Sequence, residues 1–123
     1  MRIGELARRT GASVRSLRYY EEQDLLASTR TPSGQRTYVE SDVDRVLFLQ
    51  RLYAAGLTSA TILELLPCAY DPSTRTSDAA FDRLLQERDR VDRQIDDLVR
   101  TREALDRMIT TNRAHRDSLA VSR

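Results

Sequence analysis

The chain has 123 residues, of which 40% are hydrophobic and 32% are charged, and its formal net charge is +1. This length suits one modest domain with an appendage and is too short for two full globular units. The small net charge excludes a uniformly basic nucleic-acid-binding protein. However, residues 1–38 contain seven arginines against four acidic residues, whereas the remainder contains thirteen arginines against fifteen acidic residues. The positive charge is therefore concentrated near the N-terminus.

The composition also bears on location and chemistry. No apolar run approaches the length of a membrane span and no signal-peptide core is present, so we expect a cytoplasmic protein without a membrane partner. Cys68 is the only cysteine and His115 the only histidine. One thiol cannot form an intrachain disulfide or a multi-cysteine metal cage, so we predict no metal site and no cofactor. Without a catalytic triad, paired catalytic carboxylates or a phosphate-binding glycine loop, we predict that the protein is not an enzyme.

The first two predicted helices form a helix-turn-helix. Apolar residues from Ile3 onward recur at helical spacing, which predicts a short helix over residues 3–9. Gly11 can adopt positive φ in the break that follows, and Ser13 is a suitable N-cap for a second helix that ends near Glu22.

The second helix presents basic and aromatic residues on one face. Val14 and Leu17 are predicted to face the core, which leaves Arg15, Arg18 and Tyr19 on the opposite side. Arginine and tyrosine both donate hydrogen bonds to phosphate oxygens, and arginine also reads a guanine edge in the major groove. We therefore predict that this second helix is the reading helix of a DNA-binding domain.

A β-hairpin is predicted after the reading helix. Pro32 and Gly34 occupy turn positions between two short extended arms over residues 30–38. Arg36 and Tyr38 on the second arm repeat the residue types of the reading helix. This hairpin would be the wing of a winged helix-turn-helix.

Two further helices are predicted before the linker. A cap at Ser41-Asp42 begins the third, which ends at Ala55. A Thr58 cap begins the fourth, which ends at Pro67 because proline interrupts helical hydrogen bonding. The predicted segments are a winged helix-turn-helix domain over residues 1–70, a linker over 71–77, a long dimerisation helix over 78–113 and a polar tail over 114–123.

The long helix carries an unbroken heptad repeat, which is typical of a coiled coil. The first seam position holds Phe81, Arg88, Ile95, Arg102 and Ile109. The second seam position holds Leu84, Val91, Leu98 and Leu105. Because the chain has no second helix of matching length, we predict a homodimer rather than an intramolecular hairpin.

The seam arginines bear on the orientation of that dimer. Arg88 and Arg102 are each followed four residues later by an aspartate, Asp92 and Asp106, with which they can pair along the helix. A parallel dimer would stack each arginine on its own copy. An antiparallel dimer places it opposite a different layer, so we predict an antiparallel, two-fold arrangement.

Four short motifs occur in a particular order and spacing: Ile3-Gly4-Glu5-Leu6-Ala7, Arg18-Tyr19-Tyr20-Glu21-Glu22, Gly34-Gln35-Arg36-Thr37-Tyr38 and Gly56-Leu57-Thr58. With them the sequence resembles the MerR family of bacterial transcription regulators, closely over residues 1–70 and architecturally over the long helix. The resemblance implies a mainly α fold, with a winged helix-turn-helix, a small β-hairpin wing and a long C-terminal antiparallel coiled-coil dimerisation helix.

The resemblance also implies roles for residues of the reading helix. Arg15 would contact a base edge, while Arg18 and Tyr19 would bind phosphate, with Ser13 near the helix N-terminus. Tyr20 would join this DNA-binding set, although its spacing of three residues from Leu17 fits core packing equally well.

On the wing, Arg36 and Tyr38 would reach the DNA backbone or the minor groove, and Tyr38 could equally pack beneath its strand. By the same resemblance, a homodimer would bind a pseudo-palindromic operator within an overlong promoter spacer. It would bend and untwist the duplex, so that RNA polymerase, an indirect partner, engages both promoter elements.

Alternative interpretations remain for the function and for Cys68. The chain could be a coiled-coil protein-interaction module, or a DNA-bending protein without an effector. Cys68 could be a small semi-buried hydrophobic residue, or the thiol of a redox or ligand sensor. The sequence does not identify an effector, and the extra cysteines of metal-sensing family members are lacking.

Overall fold

Five helices and one two-stranded hairpin form the part of the chain that the computed structural model describes, residues 1–70 and 78–121. The elements are α1 (Ile3–Thr10), α2 (Val14–Glu22), β1 (Thr29–Arg30), β2 (Arg36–Thr37), α3 (Glu40–Ala54), α4 (Ser59–Tyr70) and α5 (Asp78–Val121). The predicted mainly α fold with a β-hairpin wing and a long C-terminal helix is confirmed. The chain divides into two compact units, Met1–Leu84 and Leu85–Arg123.

The turn between α1 and α2 follows from two residues. Gly11 has a φ of 74°, a left-handed conformation that glycine adopts without Cβ strain, and its N–H donates to the carbonyl oxygen of Ala7 at 2.9 Å. Ser13 then caps α2, because its side-chain oxygen accepts a hydrogen bond from the backbone N–H of Ser16 at 3.0 Å. The predicted break and cap are confirmed, and they set the direction in which the reading helix leaves the turn.

The hydrophobic core of the first unit draws on each of its first four helices and on the segment after α2. Its largest fully buried side chains are Leu6, Leu17, Leu25, Val46, Leu49 and Ile62. Burial of one such side chain contributes about 1.5–3 kcal/mol. Leu17 therefore fixes the inner face of α2 as predicted, whereas Val14 is only half-buried.

The start of α3 differs from the prediction. The helix begins at Glu40, ahead of the expected Ser41-Asp42 cap. Asp42 instead reaches back, and its Oδ2 accepts a hydrogen bond from the backbone N–H of Val39 at 2.8 Å. A side chain in the first turn thus satisfies an N–H group that has no helical partner.

The predicted end of α4 at Pro67 is wrong, because the helix continues to Tyr70. The loss of one N–H group at Pro67 is offset by contacts of the last turn with α3. The ring of Tyr70 meets that of Phe48 edge-on, with centroids 6.0 Å apart, and the Arg45 guanidinium lies 4.7 Å from the centroid of Tyr70. The predicted linker over residues 71–77 lies outside the described residues.

The predicted end of the long helix at residue 113 is also wrong, because α5 extends to Val121. Residues 113–121 contain neither glycine nor proline, so nothing in this stretch interrupts helical hydrogen bonding. The stretch assigned to a polar tail is therefore mostly helical. Across the described ranges, no helix is long and apolar enough to cross a membrane.

Candidate DNA-binding surface

The outer face of α2 carries the side chains predicted to meet DNA. Arg15 and Arg18 are exposed, and the side chain of Tyr19 is 44% exposed. Their spacing of three and four residues places them side by side on the helix, opposite the buried Leu17. Ser13 lies at the exposed N-terminus of this helix, where it serves as the cap.

A groove of about 490 Å³ lies beside this face, between the start of α1, α2 and the hairpin. Four arginines line it: Arg2, Arg18, Arg30 and Arg36. Arg30 also donates from Nη1 to the carbonyl oxygen of Gly34 at 3.1 Å, which braces the hairpin turn. Guanidinium groups gathered in one concave surface attract phosphate strongly. Arg2 and Arg30 were not predicted as site residues from the sequence, although the arginine excess over residues 1–38 was a signal for them.

Glu21 joins the hairpin to the reading helix. Its Oε2 forms an ion pair with Nη1 of Arg36 at 2.9 Å, and its Oε1 accepts a hydrogen bond from the hydroxyl of Tyr38. The side chain of Glu21 is only 11% exposed. Tyr38 also exchanges two backbone hydrogen bonds with Met1, each 2.7 Å long. These contacts hold the base of the wing against α2 and the N-terminal segment.

The structure places two predicted DNA-binding tyrosines in the core. Tyr38 is 3% exposed and Tyr20 is 7% exposed. The ring of Tyr20 stacks on that of Tyr53, with centroids 5.5 Å apart and planes 10° from parallel. Neither ring is exposed enough to contact a duplex. The predicted DNA contacts of Tyr20 and Tyr38 are therefore wrong, and both residues pack in the core. Burial of the Tyr38 ring is favourable because its hydroxyl keeps a hydrogen bond to Glu21, and burial of the Tyr20 ring is favoured by its stacking on Tyr53.

Tyr19 has a partner on α4. Its hydroxyl shares a hydrogen bond with Oγ of Ser59 at 2.9 Å, and the hydroxyl of Tyr53 meets the same Oγ atom at 2.5 Å. Ser59 therefore links the exposed face of the reading helix to the aromatic pair in the core. The remaining DNA contacts stay predictions. They are the base contact of Arg15 and the phosphate contacts of Ser13, Arg18, Tyr19 and Arg36.

Burial and hydrogen bonding change the acid–base behaviour of the tyrosines. Burial raises the pKa of Tyr38 well above its ordinary value, and the hydrogen bond to Glu21 raises this pKa further. Burial also raises the pKa values of Tyr20 and Tyr53. The folded protein thus retains phenol protons at a pH where the unfolded chain loses them.

Stability is therefore expected to fall as pH rises above about 10, the ordinary pKa of tyrosine. The raised folded-state pKa values contribute stability that is fully present below pH 10 and is lost as pH rises towards those values. Urea denaturation between about pH 8 and pH 11 measures this loss, and Tyr38→Phe should make it shallower. A free energy of unfolding that is constant across this range would contradict the prediction.

Cys68 lies half-buried in α4 with a free thiol. Among the residues with described positions, no group of three or more histidine, cysteine, aspartate or glutamate side chains could hold a metal ion. The sensor role considered for Cys68 remains an untested prediction.

A helix-turn-helix with a hairpin braced against its second helix, and an arginine-lined groove between them, defines a winged helix-turn-helix DNA-binding domain. The family model described as "MerR HTH family regulatory protein" matches residues 1–67. A second, described as "MerR, DNA binding", matches residues 43–108. The chain belongs to the MerR family of DNA-binding transcription regulators.

Individual relatives agree with this assignment. The chain is 31% identical over 109 residues to the HTH-type transcriptional regulator HmrR of Rhizobium leguminosarum, covering 89% of this chain and 84% of that protein. A solved MerR family transcriptional regulator from Listeria monocytogenes aligns with a TM-score of 0.71 at 28% identity, covering 88% and 80% of the two chains. The fold is also similar to that of HiNmlR, a MerR family regulator lacking the sensor domain and solved bound to promoter DNA. That alignment has a TM-score of 0.63 at 23% identity and covers 81% and 76%.

Proposed function

We propose that two copies of this chain bind a pseudo-palindromic operator in a promoter spacer and distort it to control RNA polymerase. The observation that carries the proposal is the arginine-lined groove beside the exposed face of α2. In this arrangement Arg15 reads a base edge, while Arg18, Arg30 and Arg36 hold the phosphates that flank it. Base contacts would supply sequence preference, and phosphate contacts would supply register and most of the salt dependence.

The exposed seam of α5 supports the homodimer. In the described single chain, Ile95 is 52% exposed, Leu98 is 69% exposed and Leu105 is 52% exposed. Large apolar side chains at heptad spacing are normally covered by a second helix. A two-fold dimer would present two reading helices and two wings to one duplex, which matches an operator of similar symmetry.

Distortion of the operator is the regulatory step of the proposal. A duplex must bend to contact two separated reading helices, and bending costs free energy. Phosphate contacts by the wings would offset that cost. The promoter DNA in the solved HiNmlR complex supports DNA binding by a family member without a sensor domain. The proposal names no effector for this step, and it places the protein in the cytoplasm, where promoter DNA lies.

Fluorescence anisotropy with the chain's own upstream DNA and a scrambled duplex tests this function. Arg18, Arg30 and Arg36 of each copy give six proposed phosphate contacts, so the logarithm of affinity should fall against the logarithm of salt concentration with a slope of about −5. The upstream duplex should bind at least about a thousandfold more tightly than the scrambled one. Equal affinity for both duplexes would contradict operator recognition, and a monomer at micromolar concentration in sedimentation would contradict the homodimer.

A further inference from the structure

The seam of α5 and the position beside it alternate in step between charged and apolar residues. From residue 88 onward the first seam position holds Arg88, Ile95, Arg102 and Ile109. The flanking position that follows each second-seam residue holds Leu85, Asp92, Val99 and Asp106. All eight residues lie within the continuous helix α5. Both positions repeat their charged and apolar residues every fourteen residues. This common period indicates that residues at the first seam position pack against residues at the flanking position.

The arginines do not meet their aspartates within one helix. Of the pairs predicted along the helix, neither Arg88–Asp92 nor Arg102–Asp106 is an ion pair among the described residues, although α5 does contain the pair Glu87–Arg90 at 2.9 Å. The seam arginines are exposed in the single chain. A charge that becomes buried in a coiled-coil seam needs an opposite charge beside it. A second copy of α5 can supply that charge.

Antiparallel pairing brings the two series together in one register. In an antiparallel coiled coil, a first-seam side chain enters a hole that includes a second-seam residue of the other helix and the flanking residue after it. When the two-fold axis passes between Asp96 and Asp97, Arg88 lies opposite Leu105 of the second copy. Its guanidinium is then beside Asp106 of that copy.

The same register matches the remaining layers. Arg102 lies beside Asp92 of the second copy, and Ile95 lies beside Val99 of the second copy. The last isoleucine of the seam lies beside Leu85 of the second copy. Every charged seam residue thus meets a carboxylate, and each of these isoleucines meets an aliphatic side chain.

A shift by one heptad destroys this match in either direction. Moving the axis towards the C-terminus places Arg102 beside Val99 and Arg88 beside Arg113 of the second copy. Moving it towards the N-terminus places Arg102 beside Leu85. Each shift buries an arginine against an aliphatic side chain or a like charge, which is costly. A shift of two heptads restores the phase but pairs fewer of the seam residues. Of the four pairs between first-seam and second-seam residues, two remain when the axis moves towards the C-terminus and three when it moves towards the N-terminus.

We propose that the homodimer is locked in this antiparallel register by ion pairs between the two copies. The pairs are Arg88 with Asp106 and Arg102 with Asp92, each formed twice about the two-fold axis. The proposal rests on the homodimer of the proposed function and adds its register and the residues that select it. These ion pairs would favour a second copy of this chain over any helix whose charged residues are spaced differently along the seam.

Charge exchange tests the register by sedimentation equilibrium on the full chain. Arg102→Asp alone should weaken the dimer about a hundredfold, because the substitution sets two carboxylates side by side at two symmetric contacts. Adding Asp92→Arg should restore the dissociation constant to within about fivefold of the original, since the pair is re-formed with its charges exchanged. The matched double variant Arg102→Asp with Asp106→Arg has the same composition and re-forms only the pair along one helix. It should dimerise no better than the single variant.

Rescue by Asp106→Arg, or equal rescue by both double variants, would overturn the proposed register. A monomeric unmodified chain would instead overturn the homodimer, so the two failures are distinguishable.

A distance measurement tests the register without disturbing the seam. Arg107→Cys in a Cys68→Ser background accepts one spin label per copy, and residue 107 lies away from the seam. At the standard helical rise, the two labels should be separated along the helix axis by about 32 Å in the proposed register. A shift of one heptad would give about 21 Å or about 42 Å, and either separation would refute the register even if a charge-exchange variant failed to fold.

Discussion

Replacing Arg15 with alanine is expected to abolish most discrimination between operator and scrambled DNA. Arg15 is exposed on the outer face of α2, and its side chain can donate two hydrogen bonds to a guanine edge. Each lost bidentate contact costs about 1–3 kcal/mol, and a dimer loses two, so operator affinity should fall roughly thirtyfold or more. Affinity for scrambled DNA should fall only slightly. Anisotropy titrations with both duplexes measure the two effects.

Two variants make this result specific. Arg18→Ala should weaken both duplexes by similar factors and reduce the salt slope, because a phosphate contact carries no base information. Arg93→Ala removes an exposed arginine from α5, outside the seam, and should change neither affinity. If Arg15→Ala weakened the two duplexes equally, Arg15 would be a phosphate ligand and another residue would read the bases.

Glu21→Ala is expected to loosen the wing and weaken binding to every duplex. The change removes the ion pair to Arg36 and leaves the buried hydroxyl of Tyr38 without its acceptor. Loss of a buried charge-assisted network of this size should lower the free energy of unfolding by about 2–4 kcal/mol. Because Arg36 lines the groove, DNA affinity should fall as well, with little change in sequence preference.

Urea denaturation and the same titrations test this expectation. Glu22→Ala is the matched control, since Glu22 is the next residue on α2 and is exposed. A double-mutant cycle with Tyr38→Phe isolates the hydrogen bond, because Tyr38→Phe leaves the ion pair in place. If Glu21→Ala and Glu22→Ala had the same small effect, Glu21 would not hold the wing.

Local signals predicted the local features of this fold. Gly11 and Ser13 specify the turn and cap between α1 and α2 without help from distant residues, so the helix-turn-helix was predictable. Pro32 and Gly34 likewise predicted the hairpin. The continuous heptad predicted one long helix, and only its end was misplaced because no stop signal marks it.

Features that depend on distant partners were not predictable in this way. Tyr20 and Tyr38 have the composition of a DNA-binding surface, but their burial is set by Tyr53 and Glu21, which lie elsewhere in the sequence. Arg2 enters the groove only because the N-terminal segment pairs with the hairpin. Such placements follow from packing between elements. The spacing of residues within one element carries little information about that packing.

The hydrogen bond between Tyr19 and Ser59 limits what Tyr19 can add to DNA binding. Its hydroxyl already has a partner in the free protein, so a phosphate contact would exchange one hydrogen bond for another rather than add one. The net gain in affinity is then small, even when the contact is well formed. Ser59, on α4, also shares a hydrogen bond with the hydroxyl of Tyr53, on α3. Phosphate binding by Tyr19 would therefore change the hydrogen bonds of residues in α3 and α4 that do not contact the phosphate.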